Sequence, residues 1–146
     1  MTGEDPHDLA RFTAAQDEIY DRILAELKGG RKRTHWMWFV FPQIDGLGFS
    51  ATTTRYSIKS LAEARAYLAH PVLGARLREC TQAVLATDGR TAFEIFGSPD
   101  NMKLKSSMTL FGAVADSVFD AVLEKFYGGE RDTGTLELLA KLAEPE

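Results

Sequence analysis

Six consecutive residues, Trp36-Met37-Trp38-Phe39-Val40-Phe41, are large and apolar, and both tryptophans of the 146-residue chain lie among them. An amphipathic element keeps one face wet, and this run has no such face. If it is extended, Trp36, Trp38 and Val40 oppose Met37, Phe39 and Phe41, and both sides are apolar. The run must be packed on both sides or wall a hollow. Pro42 interrupts it, and Gly46 and Gly48 then permit tight turns or positive φ. Thr52-Thr53-Thr54 is β-branched and resists helix. Residues 31–57 therefore read as a long ordered loop, with at most a short helical turn near Trp36. The segment is too apolar for a free linker, and a loop this long inside a compact domain is commonly functional.

Elsewhere the apolar spacing is helical. Leu9, Phe12, Ala15, Ile19, Ile23 and Leu27 predict one first helix, capped by Asp5 or Asp8 and ended at Gly29-Gly30. Ser60-Leu61-Ala62-Glu63 matches a capping box, in which the serine accepts an orphan amide proton and the glutamate reaches back. His70-Pro71 stops that helix, with His70 read as a cap, and the next runs from Val72 to Asp88-Gly89. Thr91 and Glu94 form a second box opening a short helix that Gly97 closes. Ser98-Pro99-Asp100 starts another helix, carrying Leu104, Met108, Phe111 and Ala115. A stripe from Val118 to Phe126 ends at Gly128-Gly129, and Asp132 or Thr133 caps a last helix. The expected fold is all-α, a compact single-domain array of about six helices over 1–146, with its core in about 8–142 and a long ordered aromatic and Gly-rich loop after the first helix.

A hydrophobic share of 45% supplies a core without disulfide or metal. The net charge of −4 argues against a nucleic-acid partner, and Arg31-Lys32-Arg33, the one basic cluster, reads as a solvated helix end. Cys80 stands alone, which excludes an internal disulfide and fits a reducing compartment; its spacing makes it a small core residue. No apolar stretch reaches the ~18 residues of a membrane span. The polar, acidic segment Met1 to Asp8 is unlike a secretory signal, so the expected location is cytoplasmic, with no membrane partner.

Walker, Rossmann, nucleophile-elbow and zincin signatures are missing. The three histidines lie far apart, and no metal or cofactor is expected. His35, between a basic and an aromatic run, is either a proton carrier in a pocket or a histidine bonded to backbone. Lys103, Ser106 and Ser107 fall near one face of a helix, which either holds an anion or faces solvent. Glu94 and Asp116 are candidate general bases that no spacing selects. Rings that stack on a base and a lysine that meets a phosphate suit a nucleotide-like ligand. The candidate ligand-binding residues of the aromatic segment are His35, Trp36, Trp38, Gln43, Gly46, Gly48 and Ser50; those of the later helix are Lys103, Ser106 and Ser107.

The stretch His35 to Gln43, with Gly46-Leu47-Gly48 and Ser50, resembles a bacterial family catalogued as domain of unknown function 1810. Tyr67-Leu68-Ala69-His70-Pro71-Val72-Leu73, then Lys103 with Ser106-Ser107-Met108-Thr109, and Asp132-Thr133 continue the likeness in order, over about residues 8 to 142. The resemblance implies an all-α fold and no established activity. Members are sometimes labelled calpastatin, but calpastatin-type inhibitors are long, repetitive and disordered, unlike this short, strongly capped chain. A weaker likeness, resting on the aromatic segment and the helix Phe119 to Phe126, is to helical domains that cleave ADP-ribose or riboflavin-pathway N-glycosidic bonds. The leading expectation is binding of a small anionic nucleotide- or ADP-ribose-like molecule, with hydrolysis left open. The alternative is a protein-interaction module that uses segment 35–49 and has no catalytic activity.

Overall fold

The computed structural model describes residues 5–115 and 117–143, and every regular element among them is a helix. Ten helices form among the described residues in place of about six. The central one is α8, Asp100–Gly112 in chain order, whose residues Leu104 to Phe111 are all buried. Helices α7 (Ala92–Phe96), α9 (Ser117–Tyr127) and α10 (Thr133–Ala143) pack around it. Enclosure on several sides needs partners for its polar side chains. Thr109 Oγ1 donates to the Lys105 carbonyl at 2.8 Å and accepts the Asp132 amide at 2.9 Å. Lys105 pairs with Glu130. The open choice at Lys103, Ser106 and Ser107 goes against a solvent face: both serines are buried and the lysine is half-buried.

The single first helix is two, α1 (Ala10–Gln16) and α2 (Tyr20–Lys28). Their apolar stripe keeps its spacing, but the side chains at the joint are pulled to different partners. Gln16 donates to the Phe39 carbonyl at 2.6 Å, and Asp17 pairs with Arg76 at 2.7 Å. Asp5 is the cap, accepting the Leu9 and Ala10 amides, whereas Asp8 takes a left-handed φ of 50°.

The expected loop over 31–57 also holds more helix. The turn near Trp36 is α3 (Met37–Val40), and Thr52 to Thr54, expected to resist helix, lie inside α4 (Ala51–Tyr56). Ser50 caps α4, accepting the Thr53 amide at 3.1 Å and donating to Thr53 Oγ1 at 2.8 Å. The three threonines together cost the helix roughly 1.5 kcal/mol, and the cap offsets about 1 kcal/mol of that. Between α3 and α4 the chain is pinned by an isolated parallel bridge, Ile44 to Ile58, with the Ile58 amide on the Gln43 carbonyl at 2.8 Å.

Ser60 caps α5 (Leu61–Ala69) as predicted, but Glu63 does not reach back to it. Its carboxylate instead accepts the Lys59 amide at 2.9 Å and Arg11 at 2.6 Å. Arg11 uses all five N–H groups, on the carbonyls of His7, Asp8, Arg55 and Ser57 and on Glu63, so it ties α1, the end of α4 and α5 together. His70 Nδ1 accepts the amides of Val72 and Leu73 and starts α6 (Leu73–Leu85), which ends short of the expected Asp88-Gly89. A Cβ at Gly74 would stand 2.1 Å from the Leu68 carbonyl oxygen, so α5 and α6 meet there only because glycine has none. Thr91 and Glu94 complete the expected capping box on α7. No helix among the described residues is long and apolar enough to cross a membrane.

Candidate functional site

The aromatic run divides its rings between the interior and a hollow. Trp36 is fully buried and its indole N–H donates to Glu26 at 2.9 Å. The same carboxylate accepts the Arg33 amide at 2.8 Å, the Thr34 amide at 3.1 Å and the Thr34 hydroxyl at 2.7 Å. Burial alone would raise the Glu26 carboxyl, but these donors outweigh it and hold it down at about 2. Trp36 is thus a structural ring closing the turn after α2, and it lines neither lobe of the hollow.

Trp38, two residues further and inside α3, is half-buried. Lys103 Nζ lies 5.1 Å from its ring centroid, within cation–π range. The aromatic segment and the lysine–serine helix therefore meet, across 65 positions of chain separating residues 38 and 103. Around this contact lie two adjoining lobes that share Pro99 and Lys103. The first, about 360 Å³, is walled by Trp38, Met37 and Phe96, with Lys32, His35 and Asp100 at its polar side. The second, about 280 Å³, is walled by Leu47, Gly48 and Met102, with Gln43, Ser106 and Asp132 as polar groups and Thr53 and Gly134 beside them.

Lys103 retains bonding capacity. Asp100 is 3.7 Å from its ammonium, too far for a hydrogen bond, and the same carboxylate holds Lys32 at 3.0 Å. The Gln43 side chain makes no hydrogen bond among the described residues, while the bridge at Ile44 and Ile58 fixes its backbone. Ser106 Oγ donates to the Met102 carbonyl at 3.2 Å and keeps its lone pairs. The lobes thus offer a cation, an amide and a hydroxyl beside an aromatic wall.

Of the sequence-predicted residues, His35, Trp38, Gln43, Gly48, Lys103 and Ser106 converge here. The others do not. Gly46, at φ 107°, lies under the Leu138 side chain. Ser50 is the α4 cap. Ser107 is fully enclosed, and its hydroxyl has no hydrogen-bond partner among the described residues. Glu94 serves the α7 capping box, and Asp116 lies outside the described residues. Lys32, Asp100, Thr53 and Asp132 also line the cleft, and the sequence does not single them out for it. Asp132 carries a signal, as a helix cap, but Lys103, which lines the same lobe, comes from a distant helix.

Two much wider grooves lie elsewhere, besides a hollow of about 400 Å³ beside Phe93 and Glu94. One, about 780 Å³, is lined by Arg11, Arg55 and Lys59, but Arg11 is saturated and Lys59 is bonded to Thr54, Ser57 and Asp45. The other, about 610 Å³, lies beside Lys28, Arg90 and Glu79 and has no aromatic wall. Burial pushes the nearby Cys80 thiol up to about 12, so it is neutral at physiological pH and packs as core.

The chain matches the family described as "Protein of unknown function (DUF1810)" over residues 6–139, and it belongs to that family. It is similar to the conserved hypothetical protein Rv1873 from Mycobacterium tuberculosis, whose crystal structure was determined at 1.38 Å. The two share 55% sequence identity and a TM-score of 0.92, over 93% of this chain and 99% of the other. No curated protein matches the chain.

Proposed function

We propose that the double cleft around Lys103 binds a small anionic, nucleotide- or ADP-ribose-like molecule. The observation that carries this reading is the position of Lys103, which belongs to both lobes and lies over the face of Trp38. A phosphate meets the ammonium, and a planar group meets the apolar wall of Trp38, Met37 and Phe96. Gln43 and Ser106 supply direction, since each has unfilled hydrogen-bonding capacity. Titration calorimetry with ADP-ribose and with AMP tests the reading. Binding that disappears in Lys103→Ala and weakens in Trp38→Ala, with helical circular dichroism unchanged, supports it. Binding that survives both substitutions moves the site elsewhere and ends the proposal.

A second reading, a protein-interaction surface on segment 35–49, is favoured by one residue. Phe49 is 87% exposed just before α4, next to Gly48 of the second lobe. The neighbouring rings weigh against a large docking face, because Trp36 and Phe41 are in the core. Analytical ultracentrifugation over a wide concentration range decides between a self-associating chain and a monomer.

A further inference from the structure

We infer that Asp132 makes the second lobe selective for a sugar phosphate, with its free carboxylate oxygen accepting hydrogen bonds from ribose hydroxyls. This rests on the binding reading above and narrows its ligand class. Asp132 is held at three points. Its amide donates to Thr109 Oγ1 at 2.9 Å, and its Oδ2 accepts both the Thr135 amide at 2.9 Å and the Thr135 hydroxyl at 2.7 Å. Oδ1 has no partner among the described residues, and the residue lines the lobe that Lys103, Gln43 and Ser106 also line. A site meant for a bare anion would not carry a fixed carboxylate, because like charges repel. A fixed acceptor beside a cation fits a ligand that bears hydroxyl donors and a negative group together, which is the chemistry of a ribose phosphate. Carboxylate recognition of ribose hydroxyls beside a phosphate site is familiar from dinucleotide-binding folds, although nothing of that fold is present here.

Asp132→Asn separates this role from folding. Asparagine caps helices about as well as aspartate, so α10 keeps its start. The two Thr135 donors claim the remaining amide oxygen, so the NH2 takes the place of Oδ1 and an acceptor becomes a donor. The expected result by calorimetry on the full chain is AMP binding at least about tenfold tighter than 2′,3′-dideoxy-AMP, since a hydrogen bond to a charged group is worth that much. Asp132→Asn should erase that ratio while binding pyrophosphate as tightly as the parent chain, or tighter. Equal affinity for AMP and its dideoxy counterpart in the parent chain overturns the inference even if the variant does not fold. So does an Asp132→Asn variant of unchanged melting temperature that weakens pyrophosphate along with AMP. If none of the three probes binds, or if binding ignores Lys103→Ala, the cleft reading itself fails and this inference falls with it.

Discussion

The turn around Glu26 and the hollow around Lys103 adjoin each other, and their polar atoms are used in opposite ways. Four donors converge on the two oxygens of Glu26, and all five N–H groups of Arg11 are likewise engaged with Glu63 and four carbonyls. Among the described residues, the Gln43 side-chain amide in the hollow is unbonded, Asp132 keeps an open oxygen, and Lys103 has only a loose ion pair. Lys32 stands between the two regions, over the Trp36 ring at 5.2 Å and on Asp100 at 3.0 Å. Saturated polar clusters hold a fold together, and a partly saturated one next to solvent has capacity for something else. That contrast locates the candidate site better than cavity size, since the widest groove is built around the saturated Arg11.

The largest effect that tests the contrast is expected at Arg11. Arg11→Ala leaves Glu63 buried without its partner and should cost about 3–5 kcal/mol in urea unfolding. A loss below about 1 kcal/mol would mean that saturation does not mark structural load here. Glu26→Gln comes next. A carboxyl held at about 2 against an ordinary 4.5 contributes stability above pH 4.5 and loses it as pH falls from 4.5 towards 2. The parent chain should therefore lose about 3 kcal/mol across that window through this group. The glutamine variant should start less stable at neutral pH and show a flatter acid limb, as read by melting temperature against pH.

On the open side the order reverses. Lys103→Ala is expected to change stability by no more than about 1 kcal/mol, because its ion pair with Asp100 is long and partly exposed. Loss of ligand binding without loss of melting temperature is the expected signature. A large stability loss would place Lys103 with the structural cations instead. Phe49→Ala is the smallest change, within about 0.5 kcal/mol, because the ring buries almost nothing. A melting temperature that falls by several degrees would show that this ring is covered in solution.

Much of the helical scaffold was legible because caps and glycine ends act locally. Ser60, Thr91 with Glu94, His70 and Asp132 all work within four residues of themselves. The errors share a different cause, which is a partner distant in sequence. The break between α1 and α2 coincides with Gln16 and Asp17 reaching Phe39, Tyr67 and Arg76. The burial of Leu104 to Phe111 depends on Glu130 and Asp132 answering Lys105 and Thr109. The helix at Thr52 to Thr54 is the exception, since its Ser50 cap is local, although that cap offsets only part of the threonine penalty. For the site, the two candidate groups are far apart in sequence, and only the packing of α8 against the aromatic segment brings Lys103 over Trp38. Trp36 and Ser107 could not be sorted from their neighbours, because residues one position apart on a helix or turn point to different environments.

Because a single ammonium borders both lobes, two small fragments, each sized to one of them, cannot bind independently. An anion lodged on one side draws the charge away from the other, so paired fragments should show negative coupling without touching. A single molecule that straddles Lys103 escapes that conflict, and ligand design for this cleft would begin from linked rather than separate pieces.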